Sequence, residues 1–412
     1  MKRFYASAII ASAAMAMPVL SAQENSAAAQ SAETTAPAAP AAAAPVAAKD
    51  KPDRSYSADF VDQKASLYMV DTTVKGAKEV LVTLKNADGA DFVFTDANGS
   101  ELTVPKKTKA YKFRVKADGE SLKFARDAAN SEDWDVAVDN MRKTAYTLVP
   151  FTVLSDTACP DGNAMVEFFL SSLVSANRLK EAEAYVMSLP LQSASDTVKV
   201  AALSVAETLA AKKSTAKAAE IIERVRINSS TSADVIAQAM AVLDQIRTAG
   251  DFKRCSLIYS RLSALPENPM KNQAALWGVF CDIAIGNKLS AADRLAAIKM
   301  DRSEAEFSLL QMIKGDLKIQ DKKPDPKAAL ELYSEGVVFG SLSSSWMPEL
   351  LYKTAMAYKQ IKNFEASNEI FKQIETLYPD SSFASLGKKE VVDIKKLAPQ
   401  EEDEAEDEGD ED

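Results

Sequence analysis

The chain has 412 residues, with 49 basic side chains, 59 acidic ones and no histidine. Its length admits two or three domains, and the lack of histidine excludes Ser-His and Cys-His mechanisms and every His-ligated metal site. Cys159, Cys255 and Cys281 stand far apart with no CxxC pair, and the 13 glycines form no GxGxxG or P-loop spacing, which argues against a zinc cluster and a nucleotide site.

The chain opens on "MKRFYASAIIASAAMAMPVLSAQEN". Lys2 and Arg3 form a charged start, Phe4 to Met17 a short apolar core, and Pro18 breaks it ahead of the small residues Ser21 and Ala22. This pattern predicts a cleaved signal peptide over residues 1–22. No cysteine stands at the cleavage point and no later stretch is long and apolar enough to span a bilayer, so a periplasmic or secreted protein is expected. In an oxidising compartment three cysteines admit one disulfide plus a free thiol, or three buried thiols.

Residues 23–54 are rich in Ala, Pro and Ser, carry no aromatic residue, and read as a linker. Residues 55–128 read as a small β-domain, on the runs "EVLVTL", "DFVFTD", "ELTVP" and "YKFRV". Asn98-Gly99 signals a hairpin. Asp96, Asn98, Ser100 and Glu101 superficially match a calcium loop, but the required glycine and distal glutamate are missing, so a plain turn is expected.

"NSEDWDVAVDNMRKTAYTLVPF" (residues 130–151) switches to helix, with Ser131 as N-cap and Pro150 as its close. Helical periodicity then continues almost to Leu397. Residues 399–412 form an acidic tail; its last twelve hold ten acids and no base. The whole chain is −10, so residues 1–400 sum to zero; removing Lys2 and Arg3 with the signal leaves residues 23–400 at −2. A near-neutral body argues against nucleic acid as a partner.

Six similar helices recur: "RLKEAEAYV", "STAKAAEII", "DFKRCSLIY", "KLSAADRLA", "DPKAALELY" and "NFEASNEIF". Their small residues Ala182, Ala218, Cys255, Ala292, Ala329 and Ser367 are spaced by 36, 37, 37, 37 and 38. Four residues on stand Val186, Ile222, Tyr259, Ala296, Tyr333 and Phe371, mostly large. A small side chain lets two antiparallel helices touch, and the bulky one a turn later fills the gap beside them. A fixed period in this range marks stacked helical hairpins.

The last unit, Pro348 to Ser381, resembles a tetratricopeptide repeat: Leu351, Ala355, Tyr358, Ser367, Phe371 and Pro379 fall on the family's patterned positions. "NFEASNEIFKQIETLYPDSS" is similar to the repeat ends of bacterial envelope members of that family. Earlier units depart from the pattern: their period is longer, "IQDKKPDP" widens one joint, and the terminal proline is missing or shifted. The resemblance covers roughly residues 161–397 and leaves helical hairpins of another type open. It implies a right-handed α-solenoid over residues 131–398, mainly α, preceded by the β-domain, with the helix from Ser131 as a half-repeat.

The resemblance also implies a groove lined by the first helix of each hairpin and occupied by a protein or peptide. Trp277, Lys314 and Tyr352 would share one groove position, and Cys281, Lys318 and Met356 a second one turn along. Trp277 and Met356 also read as packing between repeats. Cys255 reads as a buried Ala substitute in the small-residue column, and a Cys255–Cys281 bridge would join successive hairpins. The leading functional expectation is an exported, non-enzymatic scaffold or adaptor that needs no cofactor. The alternatives are a cell-wall or glycan binder acting through the β-domain, and a histidine-free hydrolase with a Ser-Lys dyad or paired carboxylates, for which no local signature picks a pair. Sequence alone leaves the oligomeric state open.

Overall fold

The structure, a computed structural model, describes Tyr56, Phe60 and residues 63–116 and 119–393. The expected signal peptide, the Ala/Pro-rich linker and the acidic tail lie outside the described residues. The rest is mainly helical, with a small antiparallel sheet preceding the helices.

The sheet holds β1 (Ser66–Asp71), β2 (Val80–Asn86), β3 (Asp91–Asp96), β4 (Glu101–Pro105) and β5 (Tyr111–Val115), in the order β4-β3-β2-β1-β5. Every pair is antiparallel. Period-2 alternation turns Leu67, Met69, Val82, Phe92, Phe94, Val104 and Phe113 to one buried face. Four strands fall where the sequence runs place them. The fifth, β1, is "SLYMVD", which no turn signal brackets on its N-terminal side. At Asn98-Gly99 the chain makes the expected turn: Gly99 has φ 81°, and the amides of Asn98 and Ser100 donate to Asp96 Oδ1 at 2.9 and 2.8 Å. The Asp96 carboxylate oxygen is thus used by its own turn.

Fifteen α-helices follow among the described residues. The first is α1 (Gly119–Asn130), which starts inside the segment read as β and pairs with α2 (Trp134–Leu148). The Ser131 helix is therefore the second member of a hairpin rather than a half-repeat. Its cap is Asp133, whose carboxylate accepts the Val136 amide at 3.3 Å, because Glu132 at φ 60° belongs to the preceding turn. Pro150 sits in a 3-10 turn, Val149–Val153, after α2 ends.

Six further hairpins carry the chain onward: α3 (Pro160–Ser175) with α4 (Leu179–Ser188), α5 (Asp196–Ala211) with α6 (Thr215–Val225), and α7 (Ala233–Thr248) with α8 (Phe252–Ser263). Then come α9 (Lys271–Ala284) with α10 (Lys288–Ala297), α11 (Phe307–Ile319) with α12 (Pro326–Phe339), and α13 (Met347–Gln360) with α14 (Phe364–Leu377), before a final α15 (Ser382–Glu390). First helices pack on their successors: α3 on α5, α5 on α7, α9 on α11. Helices α8 and α12 also pack on the first helix of the next hairpin, and α15 covers α13 and α14.

One backbone device closes most of these hairpins. Three residues separate the two helices, and the middle one is left-handed: Asn177 (φ 56°), Lys213 (67°), Gly250 (87°), Gly286 (89°) and Lys362 (65°). The next residue's amide then donates to the carbonyl five residues back: Arg178 to Leu173, Ser214 to Leu209, Asp251 to Ile246, Asn287 to Asp282 and Asn363 to Tyr358, at 2.8–3.2 Å. The α1–α2 turn repeats it, with Asp133 donating to Ala128 at 2.9 Å. This bond satisfies carbonyls that a helix end leaves unpaired. Only α11–α12 departs, with a six-residue joint, Gln320–Asp325.

The column of small residues is present, with one correction. The fourth residue of α4, α6, α8, α10, α12 and α14 is Ala182, Ala218, Cys255, Ala291, Ala329 and Ser367, and all six are fully buried at 0% exposure. In the fourth unit the residue is Ala291, not Ala292, and its large partner is Leu295, not Ala296. Ala292 is half-buried and Ala296 exposed, whereas Leu295 is buried. The adjacent alanines hid the slip, and a buried leucine explains it: only this register turns a large apolar side chain inward.

The sheet's buried face lies on the start of the helical part. The Phe151 ring stands 5.4 Å from Phe92 and 6.1 Å from Phe94, and the Phe113 amide donates to the Ala158 carbonyl at 2.7 Å. Sheet and helices therefore share one continuous core.

Candidate binding surface

The first helices α7, α9, α11 and α13 bring together a cluster that no local stretch of sequence announces. Arg247, in the last turn of α7, is 7% exposed. Its guanidinium donates to Asp244 Oδ1 at 2.7 Å and, from Nη1, to Glu349 Oε2 at 3.1 Å on α13. Arg247 and Glu349 lie 102 residues apart, so hairpins that are not neighbours in sequence touch through their first helices. Lys353 Nζ, one turn along α13, pairs with Glu349 Oε1 at 3.0 Å and with Asp316 Oδ2 on α11. The Tyr333 hydroxyl of α12 donates to Asp316 Oδ1 at 2.8 Å.

Aromatic rings complete the cluster. The Arg247 guanidinium lies 3.8 Å from the Trp277 ring centre and 5.3 Å from that of Phe280, and Lys353 Nζ lies 4.8 Å from Phe280. Phe280, on α9, therefore has two cations within 5.3 Å of its ring centre, an arrangement stabilised by attraction of positive charge to the ring.

Burial opposes every charge here, and the partners decide the outcome. Burial alone would raise the Glu349 carboxyl, but Lys353 and Arg247 together hold it below its ordinary range. For Asp316 burial wins over Lys353 and the carboxyl is raised; it has one cation where Glu349 has two. The Lys353 ammonium loses solvation yet is raised, because Asp316 and Glu349 flank it. Each charge is paired, which is the condition for burying it.

The residues proposed from sequence are spread across this region rather than gathered in an open groove. Trp277 is 2% exposed beneath Arg247, in the packing role that was its alternative. Tyr352 is half-buried between the rings of Phe371 and Phe383, at 5.8 and 5.6 Å, where α13 meets α14 and α15. Met356 is half-buried against the core, Lys314 half-buried and Lys318 exposed. Two slips explain the scatter. Counting back from Ala291 moves the α9 positions from Trp277 and Cys281 to Leu276 and Phe280. The α11–α12 joint is three residues longer than the others, which moves the α11 positions from Lys314 and Lys318 to Gln311 and Gly315. Gly315 faces the Tyr333 ring so closely that a Cβ would lie 2.2 Å from it.

Cys255 and Cys281 are buried, unbonded thiols on the facing helices α8 and α9. Their chain neighbours Ser256 and Asp282 are hydrogen-bonded at 2.6 Å, which sets the two cysteines level with each other. The adjacent Cys281, and then burial, push the Cys255 thiol far up, so it stays protonated. Cys159 is buried elsewhere, under Gly162, and burial pushes its thiol up to about 11.

Of the cluster residues, the sequence singled out Trp277; the Asp244/Arg247 and Glu349/Lys353 pairs, each one turn apart on one helix, are the local signals it offered for the charges. No protein-family model matches the chain, and no curated protein matches it.

Proposed function

We propose that this protein is a non-enzymatic exported scaffold whose helical hairpins form a right-handed tetratricopeptide-like solenoid that binds a protein or peptide partner. The observation that carries the reading is the recurrence of one hairpin: the same buried small–large pair returns along α3 to α14, and the same left-handed three-residue turn at every hairpin there but α11–α12. A unit that cannot bury its apolar face alone gains stability by stacking, and stacked units present a long composite surface of first helices. Among the described residues no helix is long and apolar enough to cross a membrane, in keeping with an exported chain that stays in the aqueous phase after cleavage.

The partner surface in this reading is the accessible part of the first helices around the buried cluster: Phe280, Lys314 and Met356, an aromatic, a cation and a thioether. Such side chains suit a peptide carrying apolar and acidic residues. Tyr352 drops out of this set, because its ring packs against Phe371 and Phe383 where α13 meets α14 and α15.

The test is capture from a native envelope extract on the immobilised full chain and on a Lys314→Glu/Met356→Asp variant of the same melting temperature. The intact chain should retain a defined protein that the variant loses. Recovery of the same proteins by both would refute the surface. A substrate turned over by the purified chain, with turnover lost on a single Ser→Ala or Asp→Asn change, would refute the non-enzymatic reading. Because Phe151 and α3 cover the sheet's apolar face, binding to cell-wall glycan is tested on the whole chain rather than on the strands alone.

A further inference from the structure

The two edges of the helical array differ in charge. Along α3 to α14 the turns that join the two helices of a hairpin carry Arg178, Lys212, Lys213, Lys322, Lys323 and Lys362 against Asp251, Asp321 and Asp325, whereas the α1–α2 turn carries Glu132 and Asp133. The joints between hairpins, on the opposite edge, carry more acids than bases. The basic edge is most concentrated toward the C-terminal end, at the long α11–α12 joint and the α13–α14 turn. Lys318, Lys322, Lys323, Lys327 and Lys362 are all exposed there, and none forms an ion pair among the described residues. The Lys288 ammonium, on the preceding hairpin, bonds the Gln320 carbonyl, which brings a sixth cation to the same joint.

The chain leaves the described fold at this edge. Lys359, in the last turn of α13, donates to the Glu390 carbonyl at 3.0 Å and to its carboxylate at 2.8 Å. Asn368, in the second turn of α14, exchanges two hydrogen bonds with the Val392 backbone at 2.8 and 3.0 Å. Both anchors sit near the α13–α14 turn. Glu401, where the run with ten acids in twelve residues begins, lies eight residues beyond Asp393. Eight residues reach at most about 28 Å, and α12, which begins at the long joint, packs on α13, where packed helix axes lie about 8–10 Å apart, so the acidic run starts within reach of Lys362 and the α11–α12 joint.

We propose that residues 401–412 dock on their own chain, along the lysine edge formed by Lys318, Lys322, Lys323, Lys327 and Lys362. The body of residues 23–400 is close to neutral, so this edge is the local complement to a strongly charged segment. Tethering supplies an effective concentration on the order of millimolar, which lets contacts weak in themselves be populated. The docked segment competes with any acidic partner for the same lysines, and screening by salt releases it. This goes beyond the scaffold reading and stands independently of whether a peptide occupies the first-helix surface.

The experiment is zero-length carbodiimide cross-linking of the full chain, at about 0.02 M and about 0.5 M salt, with the linked peptides mapped by mass spectrometry. The expected result is that carboxylates of residues 401–412 join those five lysines at least about tenfold more often than Lys107 and Lys109 of the sheet, with yield falling severalfold at high salt. A mixture of isotopically heavy and light chains separates self-docking from pairing between copies; links joining heavy to light overturn the proposal. Links spread evenly over the surface lysines, or unaffected by salt, also overturn it. A chain with the five lysines changed to glutamate, shown to fold by its circular dichroism, should lose protection of residues 401–412 from a Glu-specific protease. Equal cleavage in both chains counts against docking.

Discussion

The contact between Arg247 and Glu349 makes two hairpins far apart in sequence depend on each other, and its removal has a calculable cost. Each of these side chains is 7% exposed. Replacing Glu349 with Gln keeps the shape and removes one charge from between Arg247 and Lys353. Breaking a buried ion pair from one side costs about 3–5 kcal/mol. Asp244 still faces Arg247 and Asp316 still faces Lys353, so the lower end, about 3 kcal/mol, applies. For a helical part of this size each kcal/mol moves the melting temperature by about 2 °C, so thermal unfolding followed by circular dichroism should show a drop of about 6 °C. Changing Arg247 to Leu as well as Glu349 to Leu removes both charges, and the double variant should be less destabilised than the two single changes combined by at least about 1 kcal/mol. The pH dependence carries a sign. Glu349 is held below its ordinary range, so its contribution is complete above that range and is lost as pH falls through it. The wild-type advantage over Glu349→Gln should therefore shrink on acidification. Strict additivity in the double variant, or an advantage that grows toward acid, would refute the reasoning.

Gly315→Ala places a Cβ 2.2 Å from the Tyr333 ring and displaces the hydroxyl that serves Asp316, so denaturant unfolding should show a loss of about 1–3 kcal/mol. Phe151→Ala removes the ring that stacks on Phe92 and Phe94; a cost of about 3–5 kcal/mol is expected, with hydrogen exchange rising in the strands before the C-terminal helices. Lys213 holds a left-handed conformation at φ 67° that a glycine adopts freely, so Lys213→Gly should be neutral or stabilising by up to about 1 kcal/mol, whereas Lys213→Val should destabilise. Lys353 is raised by Asp316 and Glu349, so its contribution is complete below the ordinary lysine range and fades as pH climbs through its folded value; Lys353→Met should flatten stability between neutral and strongly alkaline pH.

Helix-forming segments were legible because apolar spacing and the small–large pair are set by packing, which composition records directly. Ala182, Ala218, Cys255, Ala329 and Ser367 are all buried where the period puts them. The slip at Ala292 came from two alanines side by side, where spacing alone does not choose and only the burial of Leu295 does. The hairpin turns were less legible: Glu132, Lys213 and Lys362 adopt a conformation usually signalled by glycine or asparagine, so three of the turns carry no sequence mark. Strand β1 lacked a bracketing turn. The charged cluster was hidden for another reason. Arg247 and Glu349 meet only because the tertiary arrangement brings α7 and α13 together across 102 residues, which no local pattern encodes. The groove positions failed with it, since both the Ala291 register and the long α11–α12 joint shift the count on the first helices.

The recurrence of one hairpin is the central claim, and the fourth unit tests it most directly, because sequence and structure disagree there by one residue. The measurement is the melting temperature of Ala291→Leu against Ala292→Leu in the full chain. Ala291 is fully buried in the helix crossing, so a leucine there should destabilise by about 1–3 kcal/mol, while at the half-buried Ala292 the change should stay within about 0.5 kcal/mol. Equal melting temperatures, or the larger loss at Ala292, would contradict the account.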